Sequence, residues 1–501
     1  MHRSLDALTA GPFDVLILGG GITGAGVALD AALRGFRVAL IDKGDFASGT
    51  SSASSKLVHG GLRYLEHGHI PLVYEALRER RLLLRNAPHL VHPLRFVVPF
   101  FAGARVPRWQ WRAGLSLYDL LAGTGNLRRS RPLHLSLLRR EFPDLNGTGL
   151  SGGAEYHDAQ MDDARLCIEV LRTAAAHGAC LANYAEAVGF ENVKGRIAGV
   201  RAADRVGGET FAIHARQVVN ATGPWVDAVC RLAGDASTPH LRPTKGVHLI
   251  APDRGLRSAF LLLHPADGRV FFVLPWQGKT LIGATDTLCD DSPDALSVTP
   301  EDKAYLLAGH NHFFSPPLAE TNILNSFAGL RPLAHSKNGA PSSLPREFRL
   351  IVSPSGLLSV AGGKYTTYRA MAETITDAVA ARLGKRRCCR TRRCALDGAP
   401  RKRWTVFLDR ETARLGERHG VGEETARHFV QRYGRRAAEV ATYLDRDPAL
   451  GKPVVPGEPE LRAEFAYQQE HEMALFPEDH LLRRTHLGLF RPELLRWIGG
   501  G

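Results

Sequence analysis

Three glycines near the start of the chain have the spacing of a phosphate-binding turn. Gly19, Gly21 and Gly24 form the pattern G-x-G-x-x-G within LILGGGITGAG. In such a turn the first glycine permits a tight bend, the second lets the backbone approach a pyrophosphate, and the third lets a helix pack closely on a strand. Asp42 lies about 20 residues further on, where a carboxylate accepts a hydrogen bond from a ribose hydroxyl. This spacing predicts a dinucleotide site.

The residues around the turn predict the elements that would position it. Residues 13–18 are an apolar run typical of a buried parallel strand, and residues 37–41 are a second such run that ends at Asp42. Residues 22–34 are rich in Ala, Leu and Val, as in a helix, and Gly35 ends them. A strand, turn, helix and strand in this order are far more specific than the glycines alone.

The segment that follows Asp42 favours FAD over NAD as the dinucleotide. It reads SSASSKLVHGGLRYLEHG and follows the acid almost at once, within a nucleotide-binding unit at the N-terminus. In many flavoproteins the chain runs back past the flavin here, and small hydroxyl residues can contact its phosphates and ring. We therefore expect cofactor contacts from Thr50, Ser51, Ser52, Ser54, His59, Gly60 and Gly61.

A later segment adds a second close approach to the cofactor. VVNATGPWVD contains a strand that breaks at Ala221, Thr222 and Gly223. Such a break lets the backbone pass close to a bound dinucleotide. An ordinary strand-to-helix turn is the alternative, and we predict cofactor contacts from all three residues.

A third segment, GLLSVAGGKYTTYR, predicts a strand, a tight passage at Gly363, and a helix that Thr366 and Thr367 cap. A helix N-terminus facing a flavin would stabilise the anionic reduced ring. Lys364 would add positive charge there or bind substrate, and the alternative is a capped surface helix with an exposed lysine. We predict Gly363 and Thr366 to contact the cofactor.

The predicted fold class is α/β, with a Rossmann-like FAD-binding domain, an antiparallel-sheet substrate domain and an all-helical C-terminal domain. RVFFVLPWQGKTLIGATD predicts two strands joined at Gln277–Gly278, in a sheet that covers a flavin. We expect the FAD-binding domain in residues 1–90, 155–240 and 345–385, and the substrate domain in 91–154 and 241–344. A basic linker (386–403) and a helical domain (404–501) would follow.

These motifs together resemble one family. GGGITGAG, TSSASSKLVHGGLRYLE, MDDARL, VVNATGPWVD, TKGVH, IGATD, GLRPL and GGKYTTYR are similar to FAD-dependent glycerol-3-phosphate dehydrogenases, the aerobic, quinone-linked branch of the D-amino-acid oxidase and glycine oxidase superfamily. FAYQQEHEMALFPEDHLLRRTHLGL is similar to the family's helical C-terminal domain. The chain departs from the family at Asp42, where Glu is more common, and at Tyr365, where a Leu or similar residue is usual and a phenol could alter the pocket lining.

The resemblance implies noncovalent FAD and the oxidation of sn-glycerol 3-phosphate to dihydroxyacetone phosphate. It also implies hydride transfer to flavin N5, electron delivery to membrane ubiquinone or menaquinone, and a cytoplasmic protein bound peripherally to the inner face of the membrane. An oxygen-using glycerol-3-phosphate oxidase would share every motif. Another flavin dehydrogenase of the superfamily, acting on a 2-hydroxy acid or an amine, is a further alternative.

The implied reaction needs a base and a phosphate site. His248 and His59 are the candidate bases, since a neutral imidazole suits proton removal near neutral pH, and we prefer His248. Either histidine could instead be structural. The family's motifs assign substrate phosphate to Arg63, Tyr64, Arg331 and Lys364, with Arg331 and Lys364 also at the catalytic centre. An arginine fork binds two phosphate oxygens at once, whereas the alternative for any one arginine is a surface ion pair.

Composition limits the partners. The net charge of +13 permits nucleic acid, anionic lipid or an acidic substrate, but no zinc pairs, RNA-binding signature or helix-turn-helix accompany it, so we expect no nucleic acid. Seven scattered cysteines and no apolar leader indicate reduced thiols in the cytoplasm, and we expect no metal at the cluster of Cys388, Cys389 and Cys394.

Two segments suggest contacts with other surfaces. RVPRWQWRAGLSLYDLLAGTGNLRR combines Trp, Tyr and Leu with flanking arginines, which suits an interfacial membrane helix and equally a buried helix with a basic rim. Residues 382–403 carry a dense run of basic residues, for which anionic lipid is a second use. The helical C-terminal region suggests a cap or a dimerisation element, and we expect a homo-oligomer, a dimer.

Overall fold

The computed structural model describes residues 1–66, 68–235, 239–335 and 348–498. Its strands are β1 Phe13–Leu18, β2 Val38–Ile41, β3 Leu57–Val58, β4 Val91–Phe101, β5 Arg131–Leu133, β6 Leu150–Met161, β7 Cys180–Ala182, β8 Ala185–Val193, β9 Arg196–Asp204, β10 Thr210–Asn220, β11 Thr244–Pro252, β12 Ala259–Leu263, β13 Val270–Trp276, β14 Lys279–Gly283, β15 Thr287–Leu288, β16 Asn325–Arg331, β17 Phe348–Val352 and β18 Leu358–Gly362. Its helices are α1 Leu5–Thr9, α2 Ile22–Leu33, α3 Arg63–Glu66, α4 Ile70–Asn86, α5 Arg108–Ala122, α6 Leu135–Glu141, α7 Asp163–Ala176, α8 Val226–Leu232, α9 Pro300–Phe313, α10 Tyr368–Arg382, α11 Trp404–His419, α12 Glu423–Tyr433, α13 Ala437–Ala441, α14 Arg462–Glu472, α15 Leu487–Phe490 and α16 Glu493–Ile498.

The first sheet forms the nucleotide-binding core, with α2, α7 and α10 on one face and β8, β9, α1 and α8 on the other. Its strands lie in the order β17-β18-β10-β1-β2-β7, with β9 and β8 joined to β10. The central pairs are parallel, and α2 packs against both α7 and α10. Nearly every residue of α2 is buried because parallel strands need covering on both faces. The strand, helix and strand predicted around the glycine turn are confirmed.

The second sheet is mainly antiparallel. Its strands lie in the order β15-β11-β14-β13-β12-β4-β6-β3, with β16 joined to β11 and β5 joined to β6. The predicted hairpin is confirmed: β13 pairs with β14, and Gln277 and Gly278 turn between them with φ of 47° and 70°. One pair, β12 with β4, is parallel. The mixed α/β class with two sheets and a helical C-terminal region is therefore confirmed.

One predicted domain boundary falls inside a strand, and another lies outside the described residues. The change of domain predicted at residue 155 falls inside β6, which belongs to the second sheet along its whole length. The boundary predicted between residues 344 and 345 lies outside the described residues. β3, from the Ser-rich segment, also pairs with β6, so that segment runs from the first sheet to the second.

The start of α10 differs from the prediction. A short 3-10 turn, Tyr365–Thr367, precedes the helix, and neither threonine hydroxyl caps it. Thr367 instead donates to the carbonyl of Lys364 at 3.4 Å. The turn takes up the first helical positions, so the hydroxyls no longer face the N–H groups that a cap would bind.

The C-terminal region is helical, and the predicted break near Gly420 is confirmed, since α11 ends there with φ of +66°. The basic linker before it contacts the body of the protein: Arg387 donates to the carbonyl of Arg34, and Arg392 lies 3.0 Å from Glu373 of α10. All seven cysteines are free thiols, and no metal-binding cluster occurs in the described ranges.

The predicted interfacial segment forms α5. Leu115 and Tyr118 on one face are buried, whereas Trp109 is 70% exposed and Leu120 is 76% exposed. The structure thus gives α5 both an anchored face and an exposed apolar edge. Over the described residues, no helix has the length and apolar character needed to cross a membrane.

Candidate active site

A large cavity lies between the two sheets, where β1, β2, β10 and β18 end. Its volume is about 1170 Å³, enough for a dinucleotide and a small substrate. The predicted cofactor residues on its wall are Gly19, Gly21, Asp42, Thr50, Ser51, Ser54, His59, Ala221, Thr222, Gly223, Gly363 and Thr366. The predicted substrate or catalytic residues on its wall are Tyr64, His248, Arg331 and Lys364.

Five predicted site residues do not line this cavity: Gly24, Ser52, Gly60, Gly61 and Arg63. Gly24 nevertheless has the packing role predicted for the third glycine, because a Cβ there would lie 1.9 Å from the carbonyl oxygen of Gly19. Gly19 itself has φ of +105°, and a Cβ on it would lie 2.6 Å from the Ala221 oxygen. The two turns of the nucleotide site therefore touch each other through glycine.

Asp42 stands at the end of β2 beside the glycine turn. Its carboxylate accepts from the backbone N–H of Gly20 at 2.6 Å and of Gly44 at 2.9 Å. Burial nevertheless raises its pKa to about 6. The carboxylate is thus fixed at the cavity wall, in the place where an acceptor for ribose hydroxyls is required.

The hydroxyls of the Ser-rich segment have specific partners within the protein. Ser51 Oγ accepts from the N–H of Ile22 at 2.9 Å, at the start of α2, and keeps its own proton for another acceptor. Thr50 donates to the carbonyl of Leu330 at 2.6 Å, and Ser54 donates to Asp163 at 2.6 Å. Ser51 is therefore the hydroxyl best placed to meet a phosphate at a helix N-terminus.

Gly60 and Gly61, for which we predicted flavin contacts, each lie against a tyrosine. A Cβ on Gly60 would lie 2.5 Å from the Tyr118 hydroxyl, which also accepts the Gly60 N–H at 2.9 Å. A Cβ on Gly61 would lie 2.3 Å from the Tyr64 ring. These glycines make room for two tyrosines, and the second of those tyrosines lines the cavity.

His248 lies on β11, with its ring stacked on Phe327 at 5.0 Å between centroids and 14° between planes. Its Nε2 lies 2.8 Å from the Ser55 hydroxyl. Burial, with help from the charges of Arg331 and Lys56, lowers the pKa of His248 well below its ordinary value. The imidazole is therefore neutral near pH 7, as a proton acceptor must be.

Arg331 lies at the end of β16, next to the same strand. Its guanidinium donates to Asp286 at 3.1 Å and to the carbonyl of Thr285 at 3.0 Å. A Cβ on Gly246 would lie 2.4 Å from Arg331 Nη2, so the glycine of TKGVH makes room for this side chain. Gly246 and His248 lie two residues apart on β11 and both line the cavity, so the arginine and the imidazole lie at the same end of it.

Lys364 and Tyr64 form a second cationic group. The Lys364 ammonium lies 3.6 Å from the centre of the Tyr64 ring, in cation–π geometry. Arg63 lies behind that ring, with its guanidinium carbon 5.8 Å from the ring centre. The predicted cations thus divide into one group near His248 and another around Tyr64.

His59 and Tyr365 both line the cavity, and each makes a hydrogen bond to another segment of the chain. The His59 N–H donates to Thr366 Oγ1 at 3.3 Å, and its ring lies 6.5 Å from that of Phe272. The hydroxyl of Tyr365 donates to the carbonyl of Asp163. Tyr365 lines the cavity, as predicted, but its hydroxyl is bound on the side of α7.

Comparison with known proteins decides the family. Residues 14–377 match the family model described as FAD dependent oxidoreductase, and residues 389–497 match the C-terminal domain of alpha-glycerophosphate oxidase. The chain belongs to the FAD-dependent oxidoreductase family. The resemblance found in the sequence is confirmed, and FAD is the cofactor.

Relatives of this FAD-dependent oxidoreductase span nearly its whole length. The aerobic glycerol-3-phosphate dehydrogenase of Bacillus subtilis strain 168 is 38% identical over 96% of this chain and 88% of that protein. The structure of a Bacillus halodurans glycerol-3-phosphate dehydrogenase complexed with FAD is 33% identical, with a TM-score of 0.83 over 98% of this chain and 90% of that one. An L-alpha-glycerophosphate oxidase structure from Mycoplasma pneumoniae shares the fold, at 19% identity and a TM-score of 0.59 over 76% of this chain and 97% of that one.

The residues of this oxidoreductase fit FAD. Gly19 and Gly223 have positive φ and leave the wall of the cavity free of Cβ atoms, while Ser51 and the start of α2 offer donors to a pyrophosphate. Asp42 offers acceptors at the end of β2. Residues 362–366, which begin at the last residue of β18 in the same sheet, complete this part of the wall.

Three residues of the site were missed by sequence reasoning: Ser55, Lys56 and Asp163. All lie in stretches that carry the family resemblance, TSSASSKLVHGGLRYLE and MDDARL. Their pairing brings together positions 107 residues apart, with Lys56 Nζ 2.7 Å from Asp163 Oδ1. No spacing pattern within either stretch indicates the other.

Proposed function

We propose that this oxidoreductase converts sn-glycerol 3-phosphate to dihydroxyacetone phosphate and passes the electrons to membrane quinone. The observation that supports this most is the shared cavity: the nucleotide turn, a buried neutral His248 and two groups of cations line the same space. An alcohol with a phosphate at one end matches a site in which a neutral base and two groups of cations line one cavity. The named relatives support the same substrate.

The phosphate is bound by Lys364 and Tyr64, with Arg63 behind them. The phosphate is a dianion near neutral pH, and a partly desolvated ammonium binds it more strongly than an exposed one would. The tyrosine hydroxyl adds a donor, and Gly61 gives its ring the space to lie there. These contacts fix the distance from the phosphate to the reacting carbon.

His248 accepts the proton of the C2 hydroxyl. Arg331 lies at the same end, where it binds the developing alkoxide and keeps the imidazole neutral before reaction. When bound, FAD supplies the acceptor for the C2 hydride, at its N5 atom. His59, held through its backbone by Thr366, lines the same cavity.

The electron acceptor is proposed to be ubiquinone or menaquinone, reached by peripheral attachment at the inner face of the cytoplasmic membrane. α5 supports this, since Trp109 and Leu120 expose apolar side chains beside the exposed arginines 105, 108 and 112. An apolar edge with a basic rim binds anionic lipid surfaces. We also propose that the protein acts as a homo-oligomer, a dimer.

Oxygen is the second candidate acceptor, because the C-terminal match is named for an alpha-glycerophosphate oxidase. The purified yellow protein is mixed anaerobically with glycerol 3-phosphate, lactate or glycine. Bleaching of the flavin by glycerol 3-phosphate alone supports the proposed substrate, and bleaching only by lactate or glycine refutes it. Reoxidation of the bleached enzyme by a soluble quinone or by air then separates dehydrogenase from oxidase.

A further inference from the structure

Lys56 lies in the Ser-rich segment and takes no part in the proposed binding of cofactor or substrate. It is fully buried, its backbone has φ of +59°, and its ammonium lies 2.7 Å from Asp163 Oδ1 and 2.6 Å from the carbonyl of Ser52. A buried ammonium is stable only with such partners. The segment is therefore pinned at Lys56 from inside the protein.

Ser54 provides a second attachment on the other side of Ser55. Its N–H and its hydroxyl both donate to Asp163 Oδ2, at 3.1 and 2.6 Å. Asp163 begins α7, where a carboxylate is favoured by the helix dipole. Ser55 is thus held between two residues that share one fixed carboxylate.

Ser55 lies beside His248 on the cavity wall, which both residues line. Its Oγ lies 2.8 Å from His248 Nε2. The other ring nitrogen, Nδ1, is buried and has no hydrogen-bond partner in the described part of the chain. A proton that reaches Nε2 therefore arrives through the Ser55 hydroxyl, which occupies the hydrogen-bonding position of that nitrogen.

The charged groups that face His248 come from two elements. Lys56 approaches from the Ser-rich segment and Arg331 from β16, each with its carboxylate, Asp163 or Asp286, behind it. On the side of β14 a Cβ at Gly283 would lie 2.3 Å from the ring, so no titratable side chain fits there. Both facing groups are cations.

We propose that Ser55 is a further catalytic residue, which relays the hydroxyl proton of the bound alcohol to Nε2 of His248. The proposal rests on the proposed function. As the alcohol O–H bond breaks, its proton bonds to Ser55 Oγ, and the proton of Ser55 bonds to Nε2. The C2 hydrogen leaves with its electron pair to the oxidised flavin. His248 ends as an imidazolium and Ser55 as the hydroxyl it was.

Lys56 and Asp163 are positioning residues in this scheme. They fix the ends of the Ser54–Lys56 segment, so that Ser55 needs no reorientation between its two partners. The Lys56 charge also disfavours the imidazolium, which returns its proton to solvent in each turnover. Both effects act on His248 through Ser55 or through space, without contact with substrate.

The proton inventory of flavin reduction tests the relay. Two protons in flight give a curved dependence of the rate on the D2O fraction, whereas one gives a straight line. Ser55→Ala should lower the rate of flavin reduction about 100-fold and straighten the plot, and Ser55→Thr should restore the curve. The matched control is Thr280→Val, which removes a buried hydroxyl of β14 bound to the Arg254 N–H at 3.2 Å and should leave both unchanged.

A curved inventory and wild-type rate in Ser55→Ala would overturn the relay. If Ser55→Ala does not bind FAD, Ser55→Cys is tested in its place. A relay through the thiol should shift a limb of the pH–rate profile, and an unshifted limb would contradict the relay.

Ring-labelled histidine NMR, assigned with His248→Asn, gives a readout without turnover. Lys56→Met/Asp163→Asn, which removes both charges together, should raise the His248 pKa, and an unmoved pKa refutes the positioning role. Wild-type bleaching by glycerol 3-phosphate separately reports on the proposed function.

Discussion

Asp45 and Arg484 join the C-terminal region to the nucleotide site. The two Nη atoms of Arg484 lie 2.8 and 2.9 Å from the two carboxylate oxygens of Asp45, and both side chains are completely buried. Arg483 donates to the same carboxylate. Asp45 follows Gly44, whose N–H donates to Asp42. The last hundred residues therefore contact the loop that carries the predicted ribose acceptor.

Asp45→Asn should weaken both folding and FAD binding. The substitution removes a carboxylate that the buried guanidinium groups of Arg483 and Arg484 share. Breaking a buried ion pair lowers the free energy of unfolding by about 3–5 kcal/mol. Urea unfolding measures the loss of stability, and fluorescence titration measures the FAD Kd. Asp409→Asn, which removes an exposed partner of Arg427, should change neither. If FAD affinity is kept while stability falls, the C-terminal region does not support the cofactor loop.

FAD affinity should fall below about pH 6 through Asp42. Its pKa is raised to about 6, so the carboxyl is protonated below that pH and loses its capacity to accept from two ribose hydroxyls. Linkage of one proton weakens binding by up to about tenfold per pH unit. Titrations between pH 5 and 8 measure this, and Asp42→Asn should bind FAD more weakly with no such slope. An identical slope in the variant would assign the effect to another group.

His248→Asn should lower kcat by about 10² to 10⁴-fold while FAD stays bound. In the wild type the pKa of His248 lies well below its ordinary value, so the acid limb of kcat/KM should also lie below pH 6.5. His264→Asn is the control, since His264 is buried against Tyr305 and does not line the cavity. Should His59→Asn lose the rate and His248→Asn keep it, the assignment of the base is reversed.

Lys364→Ala should raise KM for glycerol 3-phosphate by about 10- to 100-fold, the loss expected for a hydrogen bond to a charged group. Arg331→Ala should lower kcat by a similar factor, because Arg331 binds the developing alkoxide. Only Arg331→Ala should also move the acid limb of kcat/KM to higher pH. Removing the Arg331 charge favours the imidazolium of His248, and so raises its pKa. Steady-state profiles with FAD content measured on each variant test this. An unchanged kcat in Arg331→Ala would exclude Arg331 from contact with the developing alkoxide.

Trp109→Ser with Leu120→Ser should release the protein from anionic vesicles without loss of flavin reduction. These side chains are exposed on α5, whereas the buried face of the same helix carries Tyr118. Co-flotation with vesicles of phosphatidylglycerol measures binding. Val406→Ser removes an exposed apolar side chain from α11 and should leave flotation intact. Equal flotation of the α5 variant would place the lipid contact elsewhere.

Local patterns in the chain predicted the nucleotide-binding unit closely. β1 has the predicted bounds, α2 ends one residue early, and Gly35 has the positive φ of a helix end. These features depend on neighbours within a few residues, where backbone sterics and apolar periodicity are sufficient. The hairpin around Gln277 and the break at Gly420 were predicted for the same reason.

The predictions for Gly60 and Gly61 were less complete, and the reason is distance along the chain. A pair of glycines indicates that something lies close to the backbone, but not what it is. Tyr118, which fills the space beside Gly60, comes from α5, 58 residues later. The caps assigned to Thr366 and Thr367 failed similarly, because the N–H that reaches Thr366 belongs to His59.

The nucleotide turn, the cofactor class and the order of the elements follow from residue types and short spacings, since each is a local property of the chain. The partners of His248 do not. Ser55 reaches it from the Ser-rich segment and Phe327 and Arg331 reach it from β16, and their approach depends on how two sheets pack. Burial among these groups makes the imidazole neutral, and only the folded chain removes water from around it.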